Sequence, residues 1–245
     1  MRLSKTWTVA AKDFKIFRKK KSIIYSIVGF ELFISIGFPL ILRYGGARTG
    51  GIPAAALPGV IDSFSFWYVI GATLLPMSLA AYSLIGEKVQ KSLEPLLATP
   101  TTDAEILAGK SIAAAAPALI ATYIGATIFM VSVDRITHVK LGYMYFPNRN
   151  MAVILLLLVP LVIILSIGFN ILISSRSSDI RSAQQLGALI ALPLGAVYIL
   201  SQSKVISLSV TNLLIMAAIL AVLDVVVFYF AKALFQREEI LTRWK

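Results

Sequence analysis

Three groups of residues in this 245-residue chain could do chemistry, and their types and spacing limit what that chemistry is. The first is a pair of carboxylates, Glu31 and Asp224, each inside a long apolar run. A charge at membrane depth is costly and marks a cargo, proton or interface site by default. Glu31 lies nine residues beyond Ser22 and Asp224 eight before Lys232, so at 1.5 Å per residue they stand about 14 Å and about 12 Å inside their runs. Both are expected to face a polar cavity or a subunit interface. The second group is Ala104–Ser111, AEILAGKS, one residue short of the phosphate-binding pattern GxxxxGK[ST]. Phosphate binding needs the glycine that Ala104 replaces, a buried strand before it and a soluble helix after it. Here a polar stretch precedes and an apolar run follows, so Gly109-Lys110 is expected to mark the interfacial entry to that run. The third is His138, the only histidine, near Tyr143, Tyr145 and Phe146. One histidine is a poor metal site, and the aromatics suit a membrane-interface belt. Cysteine is absent, which excludes disulfides, thiolate metal sites and cysteine catalysis. No catalytic residue and no metal site is expected.

The elements that must position these residues follow from composition. The chain is 58% hydrophobic with a mean hydropathy of +0.84, against about 45–50% apolar in soluble domains. Six runs approach or exceed the roughly 20 residues that cross a bilayer core: Ser22–Leu42, Phe64–Ile85, Ser111–Val133, Met151–Ile173, Ala183–Leu200 and Val210–Ala231. The fold class is therefore all-α integral membrane with six transmembrane helices. The net charge of +11 reads as topology rather than nucleic-acid binding, because eight basic residues precede residue 22 and flank the first run. Placing both termini in the cytoplasm puts 17 of the 23 Lys and Arg inside and leaves Arg43, Arg48, Arg135, Lys140, Arg149 and Lys204 outside.

Residues 1–21 carry Leu3, Trp7, Ala10, Phe14 and Phe17 at helical spacing among seven lysines and arginines from Lys5 to Lys21. Such a helix lies flat in the headgroup layer. The organisation expected is thus an amphipathic interfacial helix over 1–21, a transmembrane domain over 22–232 and a tail over 233–245. Ala183, Gly187, Ala191 and Gly195 recur every fourth residue in the fifth run, as do Ala113, Pro117, Ala121 and Gly125 in the third. Small faces of this kind let helices approach closely, within the chain or between copies. The longest polar interruption, from Glu87 to Lys110, alternates charges with Leu93, Leu96 and Leu97. Anchored at both ends by spans, it suits a partner protein that pushes on it.

Within that interruption, Glu87-Lys88, Ser92-Leu93-Glu94, Leu96-Leu97-Ala98-Thr99-Pro100, Glu105-Ile106-Leu107 and Gly109-Lys110 resemble the cytoplasmic loop of type-2 ATP-binding-cassette (ABC) permeases. Lys12-Asp13-Phe14 with Arg18 and Lys19 resembles the elbow helix that precedes their first span. The resemblance implies a cytoplasmic coupling helix between spans 2 and 3, within residues 86–104, docking into a groove of an ATPase subunit. The docking residues would be Glu87, Lys88, Lys91, Ser92, Leu93, Glu94, Leu96, Leu97 and Thr99. It also implies no cofactor in this chain, with ATP and Mg on the partner subunit, two ABC ATPase subunits per complex, and a second permease copy or a paralogue. The small face of the fifth span would then pack at the dimer. The activity implied is that of a non-enzymatic permease subunit of an exporter, multi-pass in the plasma membrane. A proton-coupled carrier using Glu31 and Asp224 is an alternative and would call for broken helices at matched positions in two halves; the span prolines Pro39, Pro76, Pro117, Pro160 and Pro193 show no such pairing. A non-transporting membrane scaffold would need the docking loop without the intramembrane carboxylates.

Overall fold

The computed structural model describes residues 3–45, 51–89, 101–176 and 179–234. Helix α1 (Leu3–Lys19) is followed by α2 (Lys21–Leu32), which passes through a widened π turn at Phe33–Gly37 into α3 (Phe38–Tyr44). Helix α4 spans Leu57–Val89 and α5 spans Asp103–Leu141. A short α6 (Arg149–Val153) runs through a second π turn, Ile154–Leu158, into α7 (Val159–Arg176). The rest is α8 (Ile180–Ala188), α9 (Ala191–Gln202) and α10 (Val210–Leu234), with no strand among the described residues. Six stretches are long and apolar enough to cross a membrane: Ile24–Tyr44, Ala54–Ser83, Ala104–Leu141, Arg149–Ser174, Ile180–Gln202 and Val210–Ala231. They correspond one for one to the six runs expected from sequence.

Prolines explain where these spans depart from straight helices. A proline lacks an N–H and crowds the carbonyl four residues earlier. For Pro39 and Pro160 those carbonyls belong to Ser35 and Leu156, the central residues of the two π turns. For Pro193 it belongs to Leu189, where the fifth span breaks between α8 and α9. Pro76 and Pro117 remain inside α4 and α5. Near Pro76 the buried Ser166 hydroxyl, on α7, donates to the Thr73 carbonyl at 2.5 Å and ties the two helices together there.

Helix α4 is the hub and packs against α5, α7, α8 and α9. Of its most apolar window 78% is buried, against 17% for the fifth and sixth spans, so the last two spans present most of their surface outward. Helix α5 has 39 residues, about 58 Å at 1.5 Å per residue, and outruns a bilayer core of about 30 Å. It begins with a capping box between Thr102 and Glu105 and ends at Gly142, whose φ of 76° stops it in the left-handed conformation. The third span is therefore longer at both ends than Ser111–Val133. The aromatic belt expected beyond it is largely turned inward: Phe146 is buried with its ring centroid 5.8 Å from that of Phe129, and Tyr145 packs on Phe146 at 5.2 Å. Tyr143 alone of the three is exposed.

Candidate functional site

One end of the bundle brings together three helices around a buried ion pair. Asp13 of α1 and Lys110 of α5 lie 3.6 Å apart with side chains about 2% exposed. Ser83, near the end of α4, donates its hydroxyl to Asp13 at 2.5 Å. Lys110 in turn donates to the Ser83 carbonyl at 2.9 Å and to its hydroxyl at 3.1 Å. A charge this deep persists only when paired and hydrogen-bonded, and here each partner is supplied by a different helix. Gly109 makes the arrangement possible, because a Cβ there would lie 2.7 Å from the Thr6 carbonyl and 2.7 Å from Val9 Cβ. Gly109-Lys110 is thus the seat of α1 rather than a simple entry to the third span. Phe17 against Tyr82, with centroids 6.4 Å apart, and Lys20 over the Tyr82 ring at 5.5 Å extend the seat along α4.

Helix α1 consequently has a rotated face. Thr6, Val9, Ala10, Asp13 and Phe17 are buried against the protein, whereas Leu3 and Trp7, expected on the same stripe as Ala10 and Phe17, point outward. In the sequence Asp13 stands out only within the Lys12-Asp13-Phe14 run that resembles an elbow helix. The signal available was that Asp13 is the sole acidic residue among the first 21.

A second polar feature lies in the membrane-spanning part. Glu31 is 5% exposed; its Oε1 accepts from the Thr122 hydroxyl at 3.0 Å, and its Oε2 has no hydrogen-bond partner among the described residues. Gly125 of α5 allows this approach, since a Cβ there would stand 2.5 Å from Oε2 and 2.9 Å from the Ser35 hydroxyl oxygen. Ser35 is itself hydrogen-bonded to the buried Tyr68 hydroxyl at 3.0 Å. Glu31 lines a groove of about 520 Å³ between the first and third spans. Its walls are apolar, Ile27, Leu32, Pro117, Ile120 and Ile124 among them, so the cavity is not the polar one expected. Asp224 stands apart on α10, which packs against α7. Both its carboxylate oxygens are shielded without a partner among the described residues, and Asp224 is not among the residues lining the groove at Glu31.

The remaining expected site residues divide. Glu87 and Lys88 fall in the last turn of α4; Lys91, Ser92, Leu93, Glu94, Leu96, Leu97 and Thr99 lie outside the described residues. In the fifth span Ala183 and Gly187 are buried within the chain, Gly187 facing Met77 and Asn170 with a would-be Cβ 3.2 Å from each. Ala191 and Gly195 follow the break at Leu189, and a Cβ at Gly195 would meet nothing within 4 Å. The four residues therefore do not form one continuous face.

At the far end of α4, Asp62 accepts from the Tyr145 hydroxyl at 2.9 Å, Asn148 at 3.3 Å and Asn150 at 2.7 Å. Asp134 accepts the backbone N–H groups of Tyr145 and Phe146 at 2.9 and 3.1 Å. These bonds fold residues 142–150 back onto the bundle. Burial, and then the nearby Asp62 carboxylate, push the Tyr145 hydroxyl pKa above its ordinary range.

Comparison with protein families agrees with this architecture. The model of a family described as ABC-2 family transporter protein matches residues 7–212, from within α1 through the start of α10. No curated protein matches the chain.

Proposed function

Because the chain belongs to the ABC-2 family of transporter proteins, we propose that this multi-pass permease works as an exporter moved by two separate ABC ATPase subunits. Those subunits hold ATP and Mg²⁺. A second permease copy or a paralogue completes the complex in the plasma membrane, with both termini cytoplasmic. The coupling element in this reading is the end of α4 and the polar stretch that follows it, with Leu93, Leu96 and Leu97 entering a groove of the ATPase and Glu87, Lys88, Lys91, Ser92, Glu94 and Thr99 around them.

The observation that carries the reading is the Asp13–Ser83–Lys110 junction. Ser83 precedes the polar stretch and Lys110 follows it, so both arms of the proposed coupling element are tied to each other and to α1. A push on the stretch cannot be absorbed by one helix bending alone. It displaces α1, α4 and α5 together, the kind of rigid-body shift by which a docked partner selects one bundle state over another. The second permease packs, in this proposal, on the outer half of the fifth span, where Leu189, Leu192 and Ile199 point outward.

The test is purification from native membranes through a tag on this chain. An ATP-hydrolysing subunit is expected to co-purify, and Glu94→Lys or Leu97→Asp is expected to weaken its retention by at least about tenfold, the scale of a hot-spot residue, while the permease still inserts. Transport by purified protein with no ATPase present would contradict the proposal.

A further inference from the structure

We propose that the groove beside Glu31 is a binding site for a lipophilic organic cation, an ammonium or phosphonium centre carried on an apolar body. The inference rests on the permease reading and names the class of cargo that reading leaves open. Three observations converge on it. Glu31 has one carboxyl oxygen held by Thr122 and the other without a hydrogen-bond partner among the described residues. No lysine or arginine is among the residues lining the groove, so no counter-charge is supplied there by the described residues. The groove is open outward, with Ile120 59% and Ile124 56% exposed, so a ligand reaches it sideways from among the lipid tails.

Chemistry argues against three other classes of small occupant. Ionising a carboxyl in low dielectric without a partner is costly, and an incoming positive charge offsets that cost, so cation and carboxylate form together. A hard metal ion would need about six to eight oxygens, and Glu31 with the Ser35 hydroxyl cannot furnish them. A saccharide would find too few polar groups to fix its orientation, and an anion would be repelled. The volume of about 520 Å³ falls within the range of roughly 300–1,000 Å³ typical of small-molecule sites. Gly125 adds a specific requirement, because any side chain there would cover Oε2.

The experiment measures binding of tetraphenylphosphonium, and of its near-isosteric anion tetraphenylborate, to the full chain in zwitterionic lipid nanodiscs, with empty discs subtracted. Saturable binding of the cation and none of the anion is expected. Glu31→Gln is expected to lower cation affinity by at least about tenfold, as loss of one partner of a desolvated charge pair does, with Asp224→Asn unchanged. Ile124→Trp, on the open wall, is expected to block binding as well, and decides the matter if Glu31→Gln proves unstable. Equal binding of the two ions, or cation binding unaffected by Glu31→Gln or Ile124→Trp, would overturn the proposal. So would a groove covered by a second copy, seen as Ile124→Trp dissociating a dimer without changing cation binding. No nucleotide or ATPase enters the assay, so its failure leaves the docking reading untouched.

Discussion

Asp13 and Glu31 are both acids more than nine-tenths buried, yet their surroundings differ completely. Asp13 meets Lys110 and Ser83, each from another helix. Among the described residues Glu31 meets a single hydroxyl and has one oxygen without a hydrogen-bond partner. The lesson is that burial alone does not assign a role. A saturated carboxylate holds helices in register, whereas a half-satisfied one beside an open groove keeps capacity for something that arrives.

The sharpest way to break this contrast is Asp13→Leu. It removes the Asp13 carboxylate from the buried Lys110 and is expected to cost about 3–5 kcal/mol, as severed buried pairs do, read as loss of thermal stability in detergent. Adding Lys110→Met should restore most of that, because replacing a whole buried pair by apolar groups is often neutral. Next is Gly109→Ala, which drives a Cβ against the Thr6 carbonyl and Val9; about 1–3 kcal/mol is expected from overpacking. At the opposite end, Tyr145→Phe removes one hydrogen bond to Asp62 and should cost about 1 kcal/mol. Because the folded Tyr145 pKa is raised, its contribution is complete below the unfolded value of about 10 and lost as pH climbs through the folded one. The wild type should therefore weaken above about pH 10 more steeply than the variant, in thermal melts taken across that range. Smallest is Glu31→Gln, which keeps an acceptor for Thr122 and replaces a buried carboxyl by a neutral amide of the same shape, so stability should hold or rise. A loss as large as that of Asp13→Leu would end the distinction between the two acids.

Much of this fold is legible in the sequence because membrane spans are written in composition. All six stretches coincide with apolar runs, since hydrocarbon tolerates little else. The prolines were visible too, but which ones break their helices was not: Pro39, Pro160 and Pro193 disturb theirs, while Pro76 stays helical beside a hydroxyl from α7. The fifth-span periodicity of four presumed an unbroken helix, and the break at Leu189 divides that face. Glu31 could be singled out by its depth, although the apolar character of its groove depends on which face of α5 turns toward it. The pairing of Asp13 with Lys110 joins residues 97 positions apart, and no local pattern encodes such a contact. Helix α1 departs from expectation for a related reason: its apolar stripe predicts a face for the headgroup layer, while its tightest packing uses Thr6 and Val9 beside Gly109 and Asp13 beside Lys110.

The central claim is that a separate ATPase acts on the stretch between α4 and α5. The chain contains no cysteine, so single replacements can be labelled and cross-linked without background. The most direct measurement compares Leu97→Cys with Met144→Cys, the latter at an exposed residue just beyond α5. The account predicts that residue 97 cross-links to an ATP-hydrolysing subunit and is shielded from a membrane-impermeant maleimide in intact cells, while residue 144 reacts with the maleimide and forms no such cross-link. Maleimide labelling of residue 97 in intact cells, or a cross-link to the ATPase from residue 144 instead, would contradict it.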